Sequence, residues 1–292
     1  MLIFLRRVHI RFLGMLEVFL LLSYKLFYLY FDKWPICARS NFAKKDLLKV
    51  HQNTKNTLYE QYTSNNASTI TKIQIAKQDF DFISHLASIL VLSNKTSDYN
   101  YEHGLILFSF FSDFLRKNPS KHITCLEIGT AKGFSSSILS SLLCGEGRSG
   151  NVFTIDPIHS ERPIFWNSLS DSNGKKSRVE LMKSAGLKNN IMDKITFLRG
   201  TSSDILNRLS LSSIDFAFID GLHTYSAVKA ELQYVAIRQN KGGKIILDDF
   251  NSNMFDGVVK AVNEFCLLRD YECDIVDFVL DESRKLVIMT KI

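Results

Sequence analysis

Apolar and polar positions follow two regimes along the chain. From Ile123 onward short apolar runs, Ile123–Ile128, Asn151–Ile155, Ile195–Arg199, Ile214–Ile219 and Lys244–Leu247, alternate with stretches whose apolar residues recur every third or fourth position. Those stretches are Ser136–Leu143, Lys175–Leu187, Ser226–Gln239 and Gly257–Leu268. The alternation predicts strands and helices in turn, hence a parallel α/β sheet with helices on both faces. Tyr271–Phe278 and Lys285–Lys291 predict a closing hairpin that adds one antiparallel strand.

Before Ile123 the pattern is weaker. Residues 40–100 are rich in Asn, Lys, Thr and Ser and hold no glycine or proline. Residues 53–71 read as loop, and Ile73–Leu92 recovers helical spacing through Ile75, Phe82, Ile83, Leu86, Ile89 and Leu90. A helix is expected from Tyr101 to Arg116, stopped by Asn118-Pro119. At its start Glu102 and His103 read first as a solvated helix end, with a place in a pocket as the alternative. Phe12–Phe31 is a nearly continuous apolar run about long enough to span a bilayer. Its two charges, Glu17 and Lys25, leave three readings open: a span, a surface helix and a helix packed on its own domain. The organisation expected is therefore an apolar helix at 1–35, a polar linker and helical cap at 36–100, and the main domain at 101–292.

Charge sharpens this picture. The net charge of +6 sits in residues 1–60, with ten Lys/Arg against four Asp/Glu, while the remainder carries 26 of each. A basic segment beside an apolar run points to a membrane surface, with the main domain on the cytoplasmic face, and no nucleic acid partner is expected. The five cysteines (Cys37, Cys125, Cys144, Cys266, Cys273) have no C-x-x-C spacing, and reduced thiols are expected.

The first βα turn reads Glu127-Ile-Gly129-Thr130-Ala-Lys-Gly133. The absence of G-x-G-x-x-G excludes a nicotinamide-dependent dehydrogenase. With TIDP after the second strand, FLRGTSSD after the third, FAFIDGLHTY after the fourth and ILDDF after the fifth, the order of motifs from about residue 100 resembles class I S-adenosylmethionine-dependent methyltransferases. The likeness is to the bacterial group with I-D-G-x-H-x-Y after the fourth strand. It implies a Rossmann-like, doubly wound, mostly parallel seven-stranded sheet. It also implies S-adenosylmethionine over the strand ends, shaped by Glu127, Gly129, Thr130, Gly133 and Asp220. Asp156 would accept from the ribose hydroxyls, and Thr201 and Ser202 would lie at the adenine edge.

Asp220, Asp248 and Asp249 follow neighbouring strands and should face one crevice. Three carboxylates that close repel unless a cation joins them, and an all-oxygen set suits Mg²⁺. The alternative is that Asp248-Asp249 caps the next helix while Asp220 holds the cofactor. His223 is the candidate general base, with a helix-start hydrogen bond as its bland role and His103 and His159 as weaker competitors. Leu222 stands where related sugar O-methyltransferases often have an acidic residue. The expected reaction is transfer of a methyl group from a sulfonium to a hydroxyl of a small molecule or glycan, in a chain compatible with a homo-oligomer. The rival from another class is a membrane-tethered module that keeps the fold and binds the cofactor without turnover.

Overall fold

A computed structural model describes residues 44–63, 73–93, 99–119, 122–268 and 270–292. The apolar run at 12–31 lies outside them. Among the described residues no helix is long and apolar enough to cross a membrane.

Three helices, α1 (Lys44–Thr63), α2 (Lys77–Leu90) and α3 (Glu102–Lys117), precede the sheet. Then follow β1 (His122–Ile128), α4 (Phe134–Gly145), β2 (Ser149–Asp156), α5 (Arg178–Ser184), α6 (Asn189–Met192), β3 (Ile195–Arg199), α7 (Ser202–Leu206) and β4 (Phe216–Ile219). The chain closes with α8 (Tyr225–Arg238), β5 (Lys244–Leu247), α9 (Asp256–Leu268), β6 (Tyr271–Asp277) and β7 (Lys285–Lys291). The seven strands lie in the order β3-β2-β1-β4-β5-β7-β6. Pairings from β3 to β5 are parallel, and β7 runs antiparallel to both β5 and β6. The expected Rossmann-like sheet with one antiparallel strand is what forms.

The strands are apolar on both faces because the sheet is covered on both. Cys125, Phe216, Phe218, Ile246 and Ile288 pack with α1–α5 on one side. Their chain neighbours Leu126, Ala217, Ile219, Ile245, Leu247 and Val287 pack with α8 and α9 on the other. Alternation with period two thus feeds two cores from each strand.

Four local expectations are corrected. Residues 53–63, expected as loop, complete α1, whose Leu58 and Tyr62 lie one turn apart and are fully buried. The polar composition hid a helix that needs only a narrow apolar stripe. The helix expected from Lys175 begins at Arg178, because Ser177 and Glu180 form a reciprocal cap. Cys266 and Cys273, expected as thiols, are joined in a disulfide between the end of α9 and the start of β6. Cys125 and Cys144 are free.

The fourth correction concerns Glu102. It is not a solvated helix start but fully buried. Its Oε1 accepts from the Tyr62 hydroxyl at 2.6 Å and from the Val279 N–H at 2.5 Å, and its Oε2 from the Leu280 N–H at 3.1 Å. One carboxylate therefore ties α1 and α3 to the β6–β7 turn. Removing it strands three donors in a dry site, each costing about 1–3 kcal/mol. We expect Glu102→Ala to destabilise the protein by about 3 kcal/mol or more, and Tyr62→Phe by about 1 kcal/mol. Chemical denaturation measures both, and equal effects of the two variants would refute the anchoring role.

Candidate active site

The site is set by register. Ile128 pairs with Ile155 on one side and Ile219 on the other, and Ile219 pairs with Leu247. The next residues, Gly129, Asp156, Asp220 and Asp248, therefore leave their strands at one level, at the carboxyl edge where α/β sheets bind ligands. Gly129 has φ +97°, and a Cβ there would sit 1.8 Å from the Asp220 carbonyl oxygen. A Cβ on Gly133 (φ +89°) would meet the Met182 sulfur at 2.5 Å. The room that glycine saves is taken by the turn after β4 at Gly129 and by a side chain of α5 at Gly133.

Glu127 is fully buried beneath this turn. Ser136 and Thr154 donate to its Oε2, while its Oε1 has no hydrogen-bond partner. Burial pushes its carboxyl above the usual range, and the neighbouring hydroxyls oppose that. Thr130 is buried as well, its hydroxyl 2.5 Å from that of Thr154. Asp156 Oδ1 accepts from Ile158 N–H at 2.7 Å and pairs with Arg178 Nη2 at 2.8 Å. Its Oδ2 accepts from Ala131 N–H at 2.8 Å, which leaves acceptor capacity chiefly on that oxygen. Arg178 also donates through Nε to the Ala131 carbonyl at 2.6 Å, so a single guanidinium holds the glycine-rich turn against the end of β2. Thr201 caps α7, accepting from Asp204 N–H and donating to its carboxylate at 2.7 Å, and Ser202 opens that helix. The orphan oxygen of Glu127 and the spare position on Asp156 fit a cationic, hydroxyl-bearing ligand such as S-adenosylmethionine.

Beyond β4 and β5 lies an acidic crevice. His223 Nε2 is 3.2 Å from Asp249 Oδ2 and 3.5 Å from Asp220 Oδ1, and its ring lies tilted against Phe255 at 4.4 Å between centroids. Asp249 holds φ +58°, a conformation Asp tolerates and one that recurs at functional sites. Burial, then the charge of Asp248, raises the Asp249 pKa. Burial also raises that of Asp220, where the His223 contact opposes it and the Asp248 and Asp249 charges add to it.

The three aspartates do not gather around one point. Asp220 and Asp249 meet with His223, their ligand atoms all within 4.8 Å of one another. Asp248 turns inward, its Oδ1 accepting from Asp249 N–H and its Oδ2 lying 3.1 Å from Arg284 Nη2. The same Arg284 nitrogen is 3.1 Å from Asp249 Oδ1. Two carboxylates and an imidazole are divalent-ion donors by type. Yet each Asp249 oxygen already faces a cationic or donor group and Asp248 is turned away to Arg284, so the three-aspartate set expected for Mg²⁺ is not assembled. His103 lies against Phe134 at the edge of the glycine-rich turn, with ring centroids 5.3 Å apart. His159 only accepts from the Glu161 N–H, away from the crevice. Sequence reasoning missed Arg178 and Arg284. A lone Arg in a polar turn or a short helix carries no signal until the fold brings it to a carboxylate.

Residues 126–250 match the family model described as a methyltransferase domain. No curated protein matches the chain in sequence. Among solved structures the chain is similar to the O-methyltransferase from Bacillus cereus in complex with SAH. That likeness is 16% identical with a TM-score of 0.52, covering 85% of this chain and 100% of that one. It is also similar to the O-methyltransferase NovP, 15% identical with a TM-score of 0.51, covering 85% of this chain and 99% of that one. At such identities the structures speak to fold, which the chain shares with these two proteins. Residues 126–250 are thus similar to a methyltransferase domain, within a chain whose fold these enzymes share.

The Asp156–Arg178 pair is almost wholly buried, with side-chain exposures of 8% and 2%. Removing one partner of such a pair costs about 3–5 kcal/mol. We expect Arg178→Met to lose roughly that much stability and to weaken binding of S-adenosylhomocysteine by releasing the glycine-rich turn. Denaturation and calorimetric titration read the two effects, and wild-type values in both would refute the clamp.

Proposed function

We propose that this chain is an S-adenosylmethionine-dependent O-methyltransferase acting on a hydroxyl of a small molecule that carries an apolar face. The observation that carries the reading is His223, held between Asp220 and Asp249 at the same strand level as the glycine-rich turn. S-adenosylmethionine, when bound, supplies an electrophilic methyl group on a sulfonium. The protein's part is to hold the acceptor oxygen in line with that methyl and to take its proton. Glu127, Asp156 and the glycine-rich turn would hold the cofactor, and His223 would take the hydroxyl proton of the acceptor as its oxygen is methylated. Asp220 and Asp249 stabilise the imidazolium so formed. Leu222 and Met254, 64% and 69% exposed beside His223 and Phe255, supply an apolar rim that suits an aromatic or aliphatic acceptor better than a bare sugar. No step is routed through a divalent ion, because Arg284 already meets the charge of Asp249.

The pH dependence follows from the His223 neighbours. Burial works to lower its pKa, but contact with Asp220 and the charges of Asp249 and Asp248 outweigh it and hold the pKa above 6.5. A base must be neutral, so kcat should rise with pH through a midpoint above 6.5. Asp249→Asn removes a charge that favours the imidazolium and should move that midpoint to lower pH. His223→Ala should lose about 10²–10⁴ in kcat while binding of S-adenosylhomocysteine persists. Steady-state rates with an acceptor found by labelled-methyl transfer into cell extract provide the test. Cofactor binding without any transfer would leave the non-catalytic module standing, and full activity of His223→Ala would leave orientation as the sole device.

A further inference from the structure

The acidic crevice brings its own cation. Arg284 closes the turn between β6 and β7, and its Nη2 lies 3.1 Å from Asp248 Oδ2 and 3.1 Å from Asp249 Oδ1, bridging the two carboxylates. Its guanidinium lies over the Phe278 ring at 5.0 Å, which leaves the planar group little freedom to turn away. Its backbone is fixed too. The Arg284 N–H donates to the Asp281 carbonyl at 2.9 Å, and its carbonyl accepts from Phe278 N–H at 3.2 Å. Four residues earlier the same turn is gripped by Glu102, through the N–H groups of Val279 and Leu280. The neighbour after Arg284 is also tied in, because Phe250 N–H donates to the Lys285 carbonyl at 3.1 Å. The charged groups facing Asp249 are therefore Asp248 beside it, Asp220 and His223 from the turn after β4, His103 from α3, and Arg284 from the hairpin. Asp248 itself is buried, its oxygens turned to the Asp249 N–H and to Arg284.

We propose that Arg284 is the resident cation of this crevice, taking the place a divalent ion would have between Asp248 and Asp249, so that the site works without bound metal. The inference rests on the methyltransferase reading only for the word works; the replacement of metal by guanidinium is a statement about charge and can be tested alone. Arg284 bridges Asp248 and Asp249, and His223 lies between Asp249 and Asp220, so each oxygen of Asp249 already has a cation or donor at contact distance with which a divalent ion would have to compete. It also explains the sequence puzzle of three acidic residues at adjoining strand ends: the compensating charge lies far along the chain, in a turn.

Manganese serves as the probe, titrated into the folded full chain by calorimetry and followed in parallel by electron paramagnetic resonance of the free ion. Wild type should show no saturable site. Arg284→Gln should gain one, with affinity raised more than about tenfold, since a unit charge is removed at contact distance from two carboxylates. Arg284→Lys keeps the charge and should stay close to wild type, which separates loss of charge from damage to the hairpin. Saturable binding by wild type, or its absence in folded Arg284→Gln, would overturn the proposal. So would wild-type methyl transfer abolished by a chelator and restored by Mg²⁺. Should Arg284→Gln fail to fold, the wild-type titration and the Arg284→Lys variant still decide, because a wild-type site for manganese refutes the proposal by itself. Titration with S-adenosylhomocysteine on the same samples tests the methyltransferase reading independently. Absence of that binding would sink the function and leave the charge result intact.

Discussion

Everything at the carboxyl edge depends on how closely β1 and β4 can approach after their last paired residues. Ile128 and Ile219 are in register, and the chain leaves both strands at once. With a side chain at Gly129, the Asp220 carbonyl would have to move, since a Cβ would stand 1.8 Å from it. The glycine therefore sets the separation of two turns. One of them, Gly129–Gly133, cradles the cofactor in the reading above, and the other, Asp220–His223, supplies an acid and the base. A shift of either turn by a fraction of the Cβ radius would misalign the base with the methyl group, and alignment supplies much of the catalysis in a displacement of this kind.

The second constraint is charge. The sheet end collects Glu127, Asp156, Asp220, Asp248 and Asp249, three of which are buried and two partly so. Carboxylates at that density destabilise a fold unless they are neutralised, hydrogen-bonded or paired. The chain uses all three devices. Glu127 is surrounded by hydroxyls and pushed toward its neutral form, Asp156 is paired with Arg178, and Asp248 and Asp249 share Arg284. What remains incompletely matched is Asp220 with His223, the pair nearest the acceptor's place. Reactivity is concentrated where compensation is least complete, as expected of sites whose titrating groups do the chemistry.

Legibility in the sequence divides along the same physical line. Strand positions and the turns at their ends were readable because each strand needs an apolar run of fixed length and each turn needs residues without large side chains. Hence β3 and β5 fall where expected to the residue, and β1, β2 and β4 within two. The α1 helix was not readable, because Leu58 and Tyr62 are its buried anchors while Leu48 and Val50 are exposed and the remaining positions are mostly polar. Glu102 was misread for a related reason: a carboxylate at a helix start is ordinarily solvated, and only the return of the β6–β7 turn from the far end of the chain buries it. The Cys266–Cys273 bridge spans a loop whose spacing matches no motif, so nothing short of the αβ connection's geometry could reveal it.

The residues that sequence could not find, Arg178 and Arg284, share a property. Each is a cation whose role is defined by a carboxylate distant in the chain, 22 residues away for Asp156 and 36 for Asp248. Periodicity reports on burial and turn chemistry reports on backbone, but neither carries information about which charge will meet which. The acidic residues were visible because strand ends place them by rule, and their partners were invisible because a hairpin turn places them by tertiary packing. That packing runs back through Val279 and Leu280 to Glu102, and from Glu102 to Tyr62 on α1. The helices before the sheet, which share no motif with the rest, are thereby joined by direct hydrogen bonds to the turn that balances the charge of the crevice. The glycine-rich turn and the acidic strand ends form one half of the site, and the other half is held from a segment that the motifs never mention.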